Sequence, residues 1–547
     1  MKAEVKEVEG RYFLHLTEMT KLEIDQLRFS FTKEPKDAWV KKKTNPYSVT
    51  HTEFFNQFGL LPVGLWQELI QCCQQFGFNV QFGQSFSDMF DANLRESDFY
   101  GYVNTIFSDA HNDKGEPVTP MPYQLKGVYN MLYCRRACAE VATSGGKTLM
   151  SYILFKFLFD VKHIRRMLYI VPNVNLATQS IEKYDQYEGW IKGRHDWSSG
   201  CLMSKMTKKQ RLAAEGCTIL FGTFQSLCKK PKEFFEEFDA VFCDEAHHGG
   251  NESIKKIFRK TIGAKYVFGM TGTMLKEDTY ERYMLESYIG PLCYKLTSFE
   301  LINKENFATP IFIFDMLLKN YMPIDNVKSL YELRKNKESN DAQAGNKILK
   351  LEQEMVNADE NRLRYICRLA CRCRNNTLIL FNDVKDGKGY GKKISNMLKD
   401  MTDRNIYYAD GGTDTETRDY YKAQMEADTT GRTIIVGSLG VFSEGIDVCN
   451  LWNIILAQSV KSEFIVRQML GRGMRRYKGK DKVIIFDICD DLKYGDDQAA
   501  KERPWLRQNY LWKHHLERDK IYKDNGFPVQ TYKVKFDYNG ENYEVKG

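Results

Sequence analysis

Lys147, Glu245 and Arg475 stand in three short segments of this chain, and each segment holds residue types suited to phosphate chemistry. Thr143–Thr148 reads TSGGKT, Asp244–His247 reads DEAH and Gln468–Arg475 reads QMLGRGMR. In the first, Thr143, Ser144, Gly145 and Gly146 make a loop of small residues whose backbone N–H groups can approach phosphates. Lys147 can then reach the β- and γ-phosphates, and the Thr148 hydroxyl can ligate magnesium. The general pattern begins with glycine five residues before the Gly-Lys pair, and here Val141 stands there. A glycine-rich turn beside a lysine is the bland alternative. In the second segment, Asp244 fits a magnesium-side carboxylate, and Glu245 fits the residue that orients and deprotonates an attacking water. A solvated acidic turn is the alternative. His247 and His248 are adjacent and rarely aim together at one metal, so a relay role suits His247 better. In the third, Arg472 and Arg475 are three apart on a predicted helix beginning near Ser462, so they share a face and can converge on one anion. The planar, permanently charged guanidinium suits a phosphate. Gly471 and Gly473 would cost roughly 1 kcal/mol each inside a helix, which points to a close backbone approach.

The elements that must position these residues alternate. From about 115 to 310, short apolar runs at Met167–Val171, Thr218–Phe221, Ala240–Cys243 and Tyr266–Met270 are separated by longer helical patterns. That is the signature of a parallel sheet covered by helices. Ala137–Val141 reads as a strand entering TSGGKT and Leu149–Leu158 as a helix leaving it. The run ending at Cys243 would carry Asp244 and Glu245 to the carboxyl edge of the sheet, where open α/β sheets bind ligands. A second alternating set follows at Thr377–Phe381, Asn405–Ala409, Thr433–Gly437, Asn453–Ala457 and Lys482–Asp487. Residues 325–365 read as a charged, helix-compatible excursion. Before the first set, Leu61–Phe76 reads as an amphipathic helix with Pro62 in its first turn, flanked by strands at Arg11–Leu16 and Phe78–Phe82. That helix is expected to organise a small core of its own. The last residues hold two alternating runs around Asn539-Gly540, a dipeptide that favours a type I′ hairpin turn.

Length and charge agree with several domains. A chain of 547 residues is too long for one core and predicts about three domains of roughly 100–200 residues. The expected divisions are an α+β segment at 1–112, α/β domains at 113–310 and 311–500, and an extension at 501–547. No stretch approaches the roughly 20 uncharged apolar residues needed to span a bilayer, and the N-terminus carries no apolar signal segment. The fourteen cysteines are scattered and read as reduced thiols of a cytosolic protein. Cys367, Cys371 and Cys373 cluster without a nearby histidine, so core or surface thiols suit them better than zinc. Net charge is +7, yet residues 1–100 carry 11 Lys/Arg against 14 Asp/Glu. The basic excess therefore lies beyond them and suits a polyphosphate backbone. Lys41–Lys43 and Lys205–Arg211 are candidate contacts to it, a solvated loop being the alternative for the latter.

Over residues 120–490 the chain resembles the superfamily-two helicases. Besides the three segments, Tyr123-Gln124 is similar to the upstream adenine-reading element, and Leu168–Gln179 and Phe221–Leu227 to strand-contacting motifs. Gly269–Thr273 (GMTGT) resembles motif III, Leu378–Val384 motif IV and Ser443–Val448 (SEGIDV) motif V, with Gly445 and Asp447 among its nucleotide-site residues. QMLGRGMR is of the QxxGRxxR type, which adds Gln468 to the catalytic set. TSGGKT, with Ser144 where most helicases carry glycine, and Phe58–Ile70 are similar to the UvsW-type phage helicases.

The resemblance implies two tandem RecA-like domains, with ATP and Mg2+ as cofactors and single-stranded and branched DNA as partners. It also implies a monomer or weak oligomer away from membranes, in the cytoplasm (a bacterial host's, if phage-encoded). The activity it implies is ATP-dependent unwinding or branch migration of DNA junctions in recombination and fork repair. Alternatives are the motor subunit of a restriction system, an RNA helicase, which the 2′-OH would decide, and a clamp without turnover. Intact Lys147, Glu245 and Arg475 argue against the clamp.

Overall fold

The computed structural model describes residues 1–35, 38, 50–113, 115–191, 197–203, 206–250, 252–261, 263–303, 308–322, 342–382, 389–443, 448–494, 509–536 and 543–546. The chain divides into two compact units, Met1–Leu296 and Thr297–Gly547.

The first unit is built on a seven-stranded parallel sheet. Its order is Leu292–Leu296, Arg136–Val141, Tyr266–Thr271, Ala240–Asp244, Met167–Val171, Ile219–Thr223 and Ser199–Leu202. Met167–Val171, Ile219–Thr223 and Tyr266–Thr271 are buried at every position, because helices cover both faces of a parallel sheet. That is why they read as unbroken apolar runs. The outer strands Ser199–Leu202 and Leu292–Leu296 are half-exposed and give no such run, and neither is expected from sequence.

A four-stranded sheet precedes it, in the order Leu60–Pro62, Arg11–Thr17, Lys2–Val8 and Gln81–Phe82. The helix expected over Leu61–Phe76 begins only at Trp66. Pro62, at φ −50° and ψ 132°, is extended and pairs with Phe13 as a strand residue. A 3-10 turn at Val63–Leu65 then leads into the helix, which ends at left-handed Gly77, φ 71°. The expected core of its own is also not found. Leu14, Leu61, Leu65 and Leu69 belong to one cluster with Cys138, Leu168, Val241 and Leu285 of the larger sheet and its helices. Phe31 and Phe54 pack on Tyr283 with ring centroids 5.8 and 5.4 Å apart.

The second unit holds an eight-stranded sheet, ordered Asn405–Ala409, Thr433–Ser438, Thr377–Phe381, Asn453–Leu456, Val483–Tyr494, Ile311–Met322, Val529–Phe536 and Tyr543–Lys546. Seven strands are parallel and the last, Tyr543–Lys546, is antiparallel to its neighbour. The Lys482–Asp487 candidate is the first half of Val483–Tyr494, which pairs over twelve residues with Ile311–Met322. Val529–Phe536 is a member of this sheet, parallel to Ile311–Met322. The Asn539-Gly540 turn lies outside the described residues. Of the charged 325–365 stretch, the described part forms the helix Ala342–Ala358 and the start of Glu360–Arg372. Arg362 anchors the latter from full burial, with Nε and Nη2 donating to the two oxygens of Asp490 at 2.7 and 2.8 Å. Among the described residues no helix is long and apolar enough to cross a membrane.

Candidate active site

The strand Arg136–Val141 enters the TSGGKT loop and the helix Lys147–Asp160 leaves it. Gly146, at φ 80°, caps the helix in the left-handed region, and Ser144 lies at φ 72°. The departure at Val141 has a steric consequence. A Cβ on Gly145 would lie 2.7 Å from Val141 Cγ1 and 2.9 Å from the Ala142 carbonyl oxygen, so the valine side chain occupies the space that a residue at 145 would need. Gln124 is buried, 3% exposed, and both ends of its amide are engaged by backbone. Oε1 accepts from the Met121 N–H at 2.9 Å, and Nε2 donates to the Gly145 carbonyl at 3.2 Å. Tyr123 is buried beside it. In this structure the glutamine expected to read adenine braces the phosphate loop. Lys147 and Thr148 form the first turn of the helix, half-buried, while its residues from Met150 to Phe159 are buried and root it in the core.

Asp244 ends its strand, and Glu245 turns the chain at φ 50°, with its N–H donating to Asp244 Oδ1 at 2.9 Å. Lys147 Nζ is 3.8 Å from Glu245 Oε1. A Cβ on Gly272 would lie 3.2 Å from that Nζ, so the motif III glycine leaves the lysine room. His247 Nδ1 is 3.4 Å from Glu245 Oε2 and 2.9 Å from Thr271 Oγ1. The Thr271 hydroxyl donates to the Thr273 carbonyl at 3.0 Å and accepts the Thr273 N–H at 3.2 Å. With its proton so placed, Nδ1–H of His247 is the donor to Thr271. His247 thus stands between DEAH and GMTGT, bonded to Thr271 and in close contact with Glu245. Thr271 and the buried Tyr169, whose hydroxyl faces Asp244 Oδ2 at 3.5 Å, are site residues that the sequence reading did not single out. Thr271 could have been found from GMTGT; a tyrosine inside an apolar strand gives no signal.

Burial and the neighbouring Glu245 raise the Asp244 carboxyl to about 6. Burial also works upward on Glu245, but Lys147 and His247 outweigh it and hold Glu245 down to about 2. A buried carboxylate raised further by a like charge, at a sheet edge, is a hard-oxygen donor whose repulsion a magnesium ion would relieve. Burial, reinforced by His247, pushes His248 down to about 4, which leaves it neutral against Phe224.

In the second unit the helix Glu463–Gly473 starts where expected, with Ser462 accepting from the Ile465 N–H. It stops at Gly473, with Met474 as its cap. Arg472 is therefore helical, whereas Arg475 lies beyond the helix, and the shared helical face does not extend to it. Its backbone is fixed instead by Thr309 Oγ1 and Lys480 Nζ, which donate to the Arg475 carbonyl at 3.1 and 2.8 Å. Burial lowers the Arg475 guanidinium to about 10 against the pull of Glu426. The close approach inferred from the glycines is present at Gly473, where a Cβ would lie 3.1 Å from Val483 Cγ1. Gln468 lies on this helix, its Oε1 buried with no hydrogen-bond partner among the described residues. Gly445 and Asp447 lie outside the described residues, as do Lys41–Lys43 and Lys205. Lys208–Arg211 begin an exposed helix capped by Thr207.

Two helix-covered sheets, parallel but for one edge strand, with a phosphate loop and a DEAH strand end, define tandem RecA-like folds. Residues 117–276 match the family model described as type III restriction enzyme, res subunit. The chain is 27% identical over 475 residues to the ATP-dependent DNA helicase uvsW of Enterobacteria phage T4, covering 86% of this chain and 87% of that one. It is 22% identical over 296 residues to the probable helicase D10 of Escherichia phage T5, 53% of this chain and 58% of the other. The DNA-bound type ISP restriction-modification enzyme LlaBIII shares the fold, with TM-score 0.54 and 16% identity over 76% of this chain and 32% of that one. The chain is thus similar to superfamily-two helicases of the UvsW type.

Proposed function

We propose that this chain is an ATP-dependent DNA helicase or translocase that unwinds or branch-migrates junctions. The observation that carries the reading is the Lys147–Glu245 approach of 3.8 Å beside Asp244, with His247 joining Glu245 to Thr271. In the proposed cycle the TSGGKT backbone and Lys147 bind the triphosphate, and Glu245, ionised, takes the proton of the attacking water. Thr148 and Asp244 would hold Mg2+, which neutralises phosphate charge when bound. The QxxGRxxR resemblance assigns Arg472 and Arg475 to the γ-phosphate. His247 and Thr271 carry the change at Glu245 into motif III, coupling hydrolysis to movement along a nucleic-acid backbone.

The test is ATP hydrolysis with single-stranded DNA, duplex DNA, a four-way junction and RNA in parallel at fixed salt. Junction DNA should stimulate most, and the stimulation should fall steeply as salt rises. Equal or stronger stimulation by RNA would overturn the DNA assignment, and hydrolysis absent under all four would overturn the motor. A restriction-system motor subunit is the second reading, favoured by the family model on residues 117–276. Linearisation of a circular plasmid in the presence of ATP would promote it.

A further inference from the structure

Away from the nucleotide site, the second unit gathers four donor side chains in its interior. Ile311–Met322 and Val483–Tyr494 are parallel, with Asp315 in register with Asp487. Two carboxylates directly opposite one another on adjacent strands repel. Cys489, two residues after Asp487, shares its face of the sheet, and the helix Tyr510–Asp524 brings His515 over them. Asp315, Asp487, Cys489 and His515 are 2%, 0%, 1% and 5% exposed. Cys489 Sγ is 3.0 Å from His515 Nδ1, and His515 Nε2 is 4.0 Å from Asp315 Oδ2. One ligand atom from each of the four lies within 4.8 Å of the others.

The charges do not balance within this group. Arg518 donates to both Asp487 oxygens at 2.8 and 2.9 Å, and the Tyr522 hydroxyl adds a third bond at 3.0 Å. Among the described residues Asp315 has no such hydrogen-bonding cation, His515 being 4.0 Å away. Its Oδ1 is buried with no hydrogen bond among the described residues. Lys523, the cation that also pulls on Asp315, is itself bonded to Asp519 at 2.6 Å, and Asp519 pushes the other way. A buried carboxylate left so is costly unless it takes a proton or a cation.

We propose that Asp315, Cys489 and His515, with Asp487 as fourth donor, form a binding site for a divalent transition cation, zinc by preference. Thiolate, imidazole and carboxylate are all zinc ligands and four protein donors leave no open position, whereas magnesium and calcium want oxygen alone. The charges then close: two carboxylates and one thiolate against the ion and Arg518. Binding releases the Cys489 thiol proton to solvent, and Arg518 orients Asp487 from behind. The ion would fasten the helix Tyr510–Asp524 to the two strands beneath it. The inference is independent of the proposed function.

The full chain, stripped with a chelator and dialysed, is titrated with Zn2+ and with Co2+ alone. The expected result is about one tightly held equivalent of zinc per chain. Co2+ should give a thiolate-to-cobalt charge-transfer band with the strong visible absorption of a tetrahedral site, and Zn2+ should bleach both. Zinc, unlike magnesium, should raise the thermal midpoint. Cys489→Ser and His515→Gln should reduce retained zinc to background, while Cys373→Ser should retain it. Because the wild-type spectra need no variant to fold, a wild-type chain without the band and without stoichiometric zinc overturns the site and leaves a protonated polar network. A band that persists in Cys489→Ser also overturns it.

Discussion

Replacing Gln124 by alanine separates two roles for that side chain. In the structure its amide bridges the Met121 N–H and the Gly145 carbonyl, so alanine removes one bond from the helix start and one from the phosphate loop. Each such bond contributes about 1 kcal/mol net, and each buried group left unpaired costs about 1–3 kcal/mol. If about 1–2 kcal/mol of this falls on ordering the loop for phosphates, nucleotide binding weakens roughly 5–30-fold. Because the loss acts on the loop, it should be equal for ATP, GTP and base-free tripolyphosphate, measured by displacement of a fluorescent ADP. Gln124→Glu keeps the acceptor for Met121 but sets a carboxylate oxygen against the Gly145 carbonyl, so it should bind no better than the alanine variant. A loss confined to ATP, with tripolyphosphate unaffected, would refute the bracing role and restore adenine reading.

Lys147→Ala should lower both nucleotide affinity and turnover, whereas Glu245→Gln should bind ATP and hold it unhydrolysed; wild-type turnover in the glutamine variant would remove Glu245 from the chemistry. Arg475→Ala should cut DNA-stimulated turnover by roughly 10³–10⁵ at saturating ATP with affinity retained, and the reverse pattern would make it a binding contact. Burial, then Arg518 and Lys461, holds His514 down to about 4 from 6.5, so its neutral form contributes stability that is present above pH 6.5 and lost as the pH falls through 4. The acid-side drop in thermal midpoint should accordingly be smaller in His514→Gln, and an unchanged drop would refute the assignment. Deleting residues 1–110 removes Phe31, Phe54 and Arg11 from Tyr283 and Tyr288, and should lower the thermal midpoint of the first unit and its ATP hydrolysis; an unchanged midpoint would argue against a shared core.

Central strands were legible because burial on both faces writes itself as an apolar run: Met167–Val171 and Thr377–Phe381 are strands over the residues expected. Ser199–Leu202, half-exposed at an edge, leaves no such trace. The amphipathic pattern of Trp66–Phe76 shows which face is buried but not against what, so a core shared with Leu285 and Val241 read as a separate one. At the site, residue types announced phosphate chemistry, but the helix end at Gly473 separates Arg475 from the spacing rule applied to it. Asp315 shows the deeper reason. Within IFIFDMLL it reads as one charge in an apolar strand, and Asp487 reads likewise in VIIFDICD. Only the parallel register that sets them opposite one another turns two ordinary residues into a buried charge problem. Register between strands about 170 residues apart is decided by the packing of the whole sheet. The same register sets Cys489, two residues beyond Asp487, under His515 of the covering helix, so the cluster exists only in the folded sheet.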